Sequence, residues 1–374
     1  MLWLLLIVTL LLIVVQEMSA RLGVVTQKGL GELIREEFGV KWTLFALSCL
    51  FIANLFTTIS EFAGIGASAE IFGISRYIAV PICAFGIWFI VLRGSFRTVE
   101  RMFLGFGLIY ITYIISGILA KPDMHAMLRG SFVPSFRFTP AFITLAIALV
   151  GTTITPWMQF FLQATVVDKG IRLKDYKYAR TDVIIGSLLT DVVSFFIIIA
   201  TAATLHRHHI MITDNPAAAA LALEPFAKGY AKPLFAAGLF GASLLASAVL
   251  PLSTAYTYCE SFGWEIGINR SFREAPAFYT IYTVLIAVGA IVAMSPNLNP
   301  IKVMVFSQTV QGILLPVILI FMLKLINNRE IMGDYVNSRW YNVAAWFTAI
   351  GVIALTAVLL FTSFFPGLTK VLFH

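Results

Sequence analysis

Long apolar runs alternate with short polar breaks along the whole chain. Blocks of about 20–30 residues, each long enough to cross a ~30 Å hydrocarbon core as a helix, recur from end to end. Ten spans are predicted, over 1–20, 43–71, 77–95, 101–120, 137–165, 179–204, 232–262, 276–294, 299–325 and 339–364. The weak two-residue alternation of an outer-membrane β-barrel is missing. The pattern predicts an all-α, multi-pass protein of the cell membrane, with one transmembrane domain over 1–374.

Composition agrees. Hydrophobic residues make up 59% of the chain and charged residues only 12%, against roughly 25% charged in soluble proteins. A soluble enzyme is excluded. The net charge of +7 points to membrane topology rather than nucleic acid, because the basic residues sit in short loops between spans. Loops after odd-numbered spans hold 17 of the 26 Lys and Arg, and loops after even-numbered spans hold 8. That bias assigns the odd-following loops to the cytoplasm. Met1 then starts outside, directly within a span that lacks the charged leader and cleavage site of a signal peptide. A further helix before Met1, entering from the cytoplasm, is the expectation.

Cys49, Cys83 and Cys259 stand singly in apolar runs and read as small core residues. Segment 21–42 reads as a short amphipathic surface helix with Glu32, Glu36 and Glu37 on its wet face. In the longest loop, 205–231, the alanine run 217–220 and His206, His208 and His209 read as a solvated helix end. Two stretches of small residues, 63–69 and 241–247, predict close helix contacts.

Ionisable or strongly polar groups inside a bilayer are costly unless paired or facing water. Glu17, Glu70, Asp182 and Glu260 fall near span ends and read as interfacial, whereas Glu61, Asp191 and Gln308 lie deeper. Gln311 also interrupts the ninth span. The sharpest signal is GTTITPWMQ at 151–159 in the fifth span. Proline removes a helical hydrogen bond and clashes with the preceding turn, and glycine loosens the backbone. The cluster predicts an unwound stretch between two half-helices. Freed carbonyls there would point partial negative charge at a cation, the arrangement of transporters with discontinuous helices.

These segments resemble the Nramp superfamily of divalent-metal transporters. LLIVVQEMSARLGVVTQKGLGELI (11–34) is similar to that family's second transmembrane helix and following loop. GTTITPWMQFFLQATVVDKG (151–170) is similar to its sixth helix, and VFSQTVQGILLPVILIFMLKLINNREIMG (305–333) to its tenth. The resemblance covers almost the whole chain and implies a LeuT-type inverted-repeat bundle holding helices two to eleven of eleven. The family's first helix carries an Asp-Pro-Gly-Asn motif that coordinates the metal. No such motif occurs in this sequence, so an N-terminally truncated, inactive transporter is one of the readings.

The family usually reads Met-Pro-His where this chain has Thr155, Pro156 and Trp157. Methionine offers soft sulfur to transition metals, and Thr155 offers hard oxygen suited to Mg²⁺ and to Mn²⁺. Mg²⁺ tends to keep several waters. This pattern resembles the Nramp-related magnesium transporters. The resemblance implies metal contacts from Thr155, from Thr152 through its backbone carbonyl, and from Gln308. It does not assign Glu61. Trp157 stands at a histidine linked in the family to proton movement, which implies uptake of Mg²⁺, or Mn²⁺, without proton coupling. No cofactor is implied, since the divalent cation is cargo.

The alternative of another class is a permease for amino acids or other organic substrates with the same architecture, because fold alone does not set function. It would need a wider pocket with groups for a carboxylate. The enzyme motifs HExxH and GxSxG do not occur in the sequence.

Overall fold

The computed structural model describes residues 1–93, 110–136, 139–206, 216–266 and 271–364. The described residues form helices α1 (Leu2–Thr26), α2 (Leu30–Ile71), α3 (Arg76–Leu92), α4 (Tyr110–Leu119), α5 (Met124–Phe132), α6 (Pro140–Thr153), α7 (Pro156–Asp168), α8 (Tyr176–Thr201), α9 (Ala231–Phe262), α10 (Pro276–Ala293), α11 (Pro300–Ile326) and α12 (Arg339–Phe364). Among the described residues, eight helical stretches are long and apolar enough to cross a membrane, and α3 and α4 are shorter apolar helices. Each of the ten predicted spans has a helical counterpart. Part of the fourth span, and His208 and His209 of the histidine group, lie outside the described residues. The alanine run 217–220 forms part of a 3-10 helix, Pro216–Leu223, rather than open loop.

The segment expected at the surface is helical, as predicted, but runs into the next span. Gly39 adopts φ 80° and ψ 173°, a backbone that glycine tolerates and side-chain-bearing residues avoid. It divides the piece 30–38 from the membrane-crossing part of α2. Within that piece Leu30, Leu33 and Ile34 are buried while Glu36 and Glu37 are exposed.

Apolar packing falls into two main groups. One joins α1, α6, α11 and α12 through Leu12, Val15, Leu22, Val150, Leu319 and Ala345. The other joins the later part of α2 to α3, α9 and α10 through Phe62, Val80, Leu252, Phe278 and Tyr282. In lipid, apolar contact alone gives helices little reason to associate, so close backbone approach matters. The two small-residue stretches meet: a Cβ on Gly64 would lie 2.3 Å from the Ser243 hydroxyl.

Glu17 departs from the interfacial reading. It is 2% exposed and pairs with Arg21 at 3.1 Å one turn later. Tyr176 donates its hydroxyl to the other carboxylate oxygen. Arg21 also donates to the carbonyls of Tyr335 (3.0 Å) and Val336 (3.1 Å) and to Asn337. The helical 3.6-residue period puts Glu17 and Arg21 on one face, and that face meets α8 and the turn before α12. Glu70 and Asp182 are exposed, as expected, and Glu70 pairs with Arg76.

Candidate functional site

The fifth span breaks where its sequence predicts. α6 ends at Thr153. Ile154 (φ −115°, ψ 76°) and Thr155 (φ −79°, ψ 139°) are not helical, and α7 restarts with Pro156 in its first turn. Proline is tolerated there because a first-turn N–H has no intrahelical partner. At the end of α6, the carbonyl of Thr152 loses its normal donor four residues on, because residue 156 has no N–H. The negative end of the α6 dipole lies at the same point.

α11 holds this break at very short range. A Cβ on Gly151 would lie 2.2 Å from the Gln308 carbonyl oxygen and 2.4 Å from the Gly312 nitrogen. A Cβ on Gly312 would lie 2.5 Å from the Ile147 carbonyl oxygen. Two glycines thus let the backbones of α6 and α11 touch, setting Gln308 beside the turn that leads into Thr155.

The side chains expected at the site differ in setting. Thr155 is buried at 6% exposure, and its hydroxyl has no hydrogen-bond partner. Gln308 is half-buried, and its carboxamide oxygen is likewise buried without a partner. A buried acceptor left unpaired costs about 1–3 kcal/mol, so these oxygens are poised for something that donates or coordinates. The Thr152 side chain is exposed, leaving only its carbonyl to offer at the break. Trp157 packs against the apolar cluster that includes Ile154 and Phe160, with its ring 6.0 Å from that of Phe161.

A polar network that the sequence reading did not assemble lies one turn further along α11. Gln311 donates to the Thr57 hydroxyl (2.8 Å), and Asn54 donates to the Thr254 hydroxyl (2.7 Å). All four residues are buried, and the Gln311 carboxamide oxygen has no partner. The network ties α11 to α2 and α9. The available signal was Asn54, an amide in the middle of the second predicted span. Glu61 lies close to Ser243 of α9. Asp191 is 6% exposed on α8, and its Oδ2 is buried without a hydrogen-bond partner, while the Thr9 hydroxyl of α1 donates to the Leu5 carbonyl (2.8 Å). Neither acid is part of the break. Among the described residues, no group of three or more His, Cys, Asp or Glu could hold a metal ion. What this region offers a cation is neutral oxygen.

The model of the natural resistance-associated macrophage protein-like family, Nramp, matches residues 1–362. A Bacillus subtilis (strain 168) protein named divalent metal cation transporter MntH is 27% identical over 374 residues, covering 97% of this chain and 85% of its own length. The crystal structure of an Eremococcus coleocola manganese transporter, in complex with an aromatic bis-isothiourea compound, superposes with a TM-score of 0.71 at 20% identity, over 96% of this chain and 79% of that one. The structure of MhsT in complex with L-phenylalanine superposes with a TM-score of 0.62 at 16% identity, over 95% of this chain and 91% of that one. At those identities the likeness is one of fold, the LeuT-type helical bundle.

Proposed function

The chain belongs to the Nramp family, and we propose that it carries divalent metal cations across the membrane, with Mg²⁺ as its main cargo and Mn²⁺ as the second fit. The observation that carries this reading is the α6–α7 break beside Gln308, with two buried side-chain oxygens, Thr155 Oγ1 and Gln308 Oε1, left without partners. Threonine and glutamine supply hard oxygen only, which suits Mg²⁺ and Mn²⁺ better than soft transition metals. The carbonyl of Thr152 is the third expected contact. A dication that keeps several waters needs few direct protein ligands.

Uptake runs down the electrochemical gradient without protons. The setting of Trp157 supports this, since an indole cannot relay protons and the side chain packs against an apolar cluster. A membrane potential of 100 mV supplies about 2.3 kcal/mol per charge, hence about 4.6 kcal/mol for a dication. The cycle is alternating access, one helix group rocking against another around the broken span. Uptake into proteoliposomes tests the reading. Mg²⁺ entry driven by an inside-negative potential is expected, and strict preference for Fe²⁺ over Mg²⁺ contradicts it.

A further inference from the structure

The second half-helix carries more than Thr155. Gln159 and Gln163 follow at spacings of four residues, which puts the two glutamines on one face of α7, with Thr155 at the cap of that helix. At 1.5 Å per residue the two glutamines stand about 6 Å apart along the axis. Gln159 and Gln163 are 0% exposed, and Thr155 is 6% exposed. Each has a buried side-chain oxygen with no hydrogen-bond partner. The carboxamide nitrogens are engaged: that of Gln159 donates to the Thr155 carbonyl (3.4 Å) and that of Gln163 to the Lys28 carbonyl (2.9 Å). Neighbouring α1 fixes the same face, because Ser19 donates to the Gln159 carbonyl (2.6 Å) and a Cβ on Gly23 would lie 3.2 Å from Gln163 Cγ. Three buried, partnerless oxygens within nine residues of chain is an unusual burden.

These oxygens lead to an acid. Glu260, near the end of α9, lays its carboxyl group on Gly29, the residue after the carbonyl that Gln163 holds. A Cβ on Gly29 would be 1.5 to 2.1 Å from its carboxyl atoms. Glu260 Oε2 is buried and unpartnered. Glu32 and Asp168 lie close enough for their charges to act on it. Nearby cations are engaged elsewhere: Lys28 with Glu36 and Glu32, and Arg35 with the Ser261 carbonyl at 2.7 Å. Among the described residues, neither Glu260 nor Asp168 has an ion pair.

From this we infer that Thr155, Gln159, Gln163 and Glu260 form the release path for the divalent cation, from the break to the end of the bundle that the loop charges assign to the cytoplasm. The path rests on the transport reading above. A partly hydrated dication moves along it by donating its water hydrogens, or offering its own charge, to one neutral oxygen at a time. Each station is weak enough to leave, as conduction requires, and the Glu260 carboxyl group offers the ion its oxygens after the last amide.

The test measures Mg²⁺ uptake by the chain in proteoliposomes, using a lumenal Mg²⁺ dye, for the unaltered protein and for Gln159→Leu, Gln163→Leu and Gln163→Glu. Each leucine variant is expected to lower the maximal rate about tenfold while the external half-saturating concentration stays within about twofold, because entry is untouched. Gln163→Glu keeps an oxygen at the station and is expected to restore the rate to within about twofold of the unaltered protein. Leucine variants that elute as folded protein yet transport at full rate overturn the path. So does a glutamate variant as slow as leucine, which would mean the residue only packs. If leucine prevents folding, the glutamate variant decides alone. No divalent uptake by the unaltered chain would strike the transport reading itself, and the path with it.

Discussion

Gly151 and Gln308 touch backbone to backbone: a methyl group on the glycine would lie 2.2 Å from the glutamine's carbonyl oxygen. The obstacle is main chain on another helix, which cannot swing away as a side chain tip could. Gly151→Ala should therefore push α11 from the broken span, at an overpacking cost of about 1–3 kcal/mol, and remove Gln308 from the break. Thermal unfolding in detergent should shift downward, and Mg²⁺ uptake should fall to background. An alanine variant with unchanged melting temperature and uptake would show that the two helices do not meet there.

Thr155→Met replaces hard oxygen by soft sulfur at the break. Competition uptake should show the preference moving from Mg²⁺ toward Mn²⁺ and Cd²⁺, by about tenfold or more in the ratio of rates. Unchanged ion preference would mean that Thr155 does not face the ion.

Gln308→Leu removes the second partnerless oxygen while keeping the volume of the side chain. It should weaken the apparent affinity for Mg²⁺ about tenfold, the effect of losing a contact worth about 1.4 kcal/mol, with stability unchanged or raised, because no hydrogen bond of that oxygen is lost and an unpaired buried acceptor is removed. Saturation curves beside melting curves check both halves.

Glu17 and Arg21 provide a stability test independent of transport. Arg21→Met leaves a buried carboxylate without its cation, a loss of about 3–5 kcal/mol. The double variant Glu17→Gln with Arg21→Met removes both charges and should recover part of that loss. Melting temperatures of the two singles and the double variant close the cycle. Simple addition of the single effects would mean that the pair, 3.1 Å apart here, is not energetically coupled.

Much of this arrangement is legible in the sequence, for reasons that can be named. Apolar blocks mark membrane helices because the bilayer fixes their length, and the GTTITP run marks the break because proline and glycine act locally on the backbone. What escaped depends on tertiary partners. Glu17 lies near a predicted span end and reads as wet, yet Arg21 and Tyr176 bond to it, and Asn337, from a distant part of the chain, holds Arg21. Gln159 and Gln163 are ordinary polar residues in a string of letters. Their significance lies in shared burial and missing partners, which spacing alone cannot reveal. The Asn54, Thr57, Thr254 and Gln311 network spans about 250 residues of sequence, as between Thr57 and Gln311 (254 residues apart), and only the fold brings it together.

The most direct test of the central claim combines two dyes in one proteoliposome, one reporting lumenal Mg²⁺ and one lumenal pH, under an inside-negative potassium diffusion potential. Mg²⁺ should enter at a rate that rises with the imposed potential while lumenal pH stays constant, and Mn²⁺ should compete. Acidification in step with Mg²⁺ entry, or a protein that admits Fe²⁺ and excludes Mg²⁺, would contradict the account.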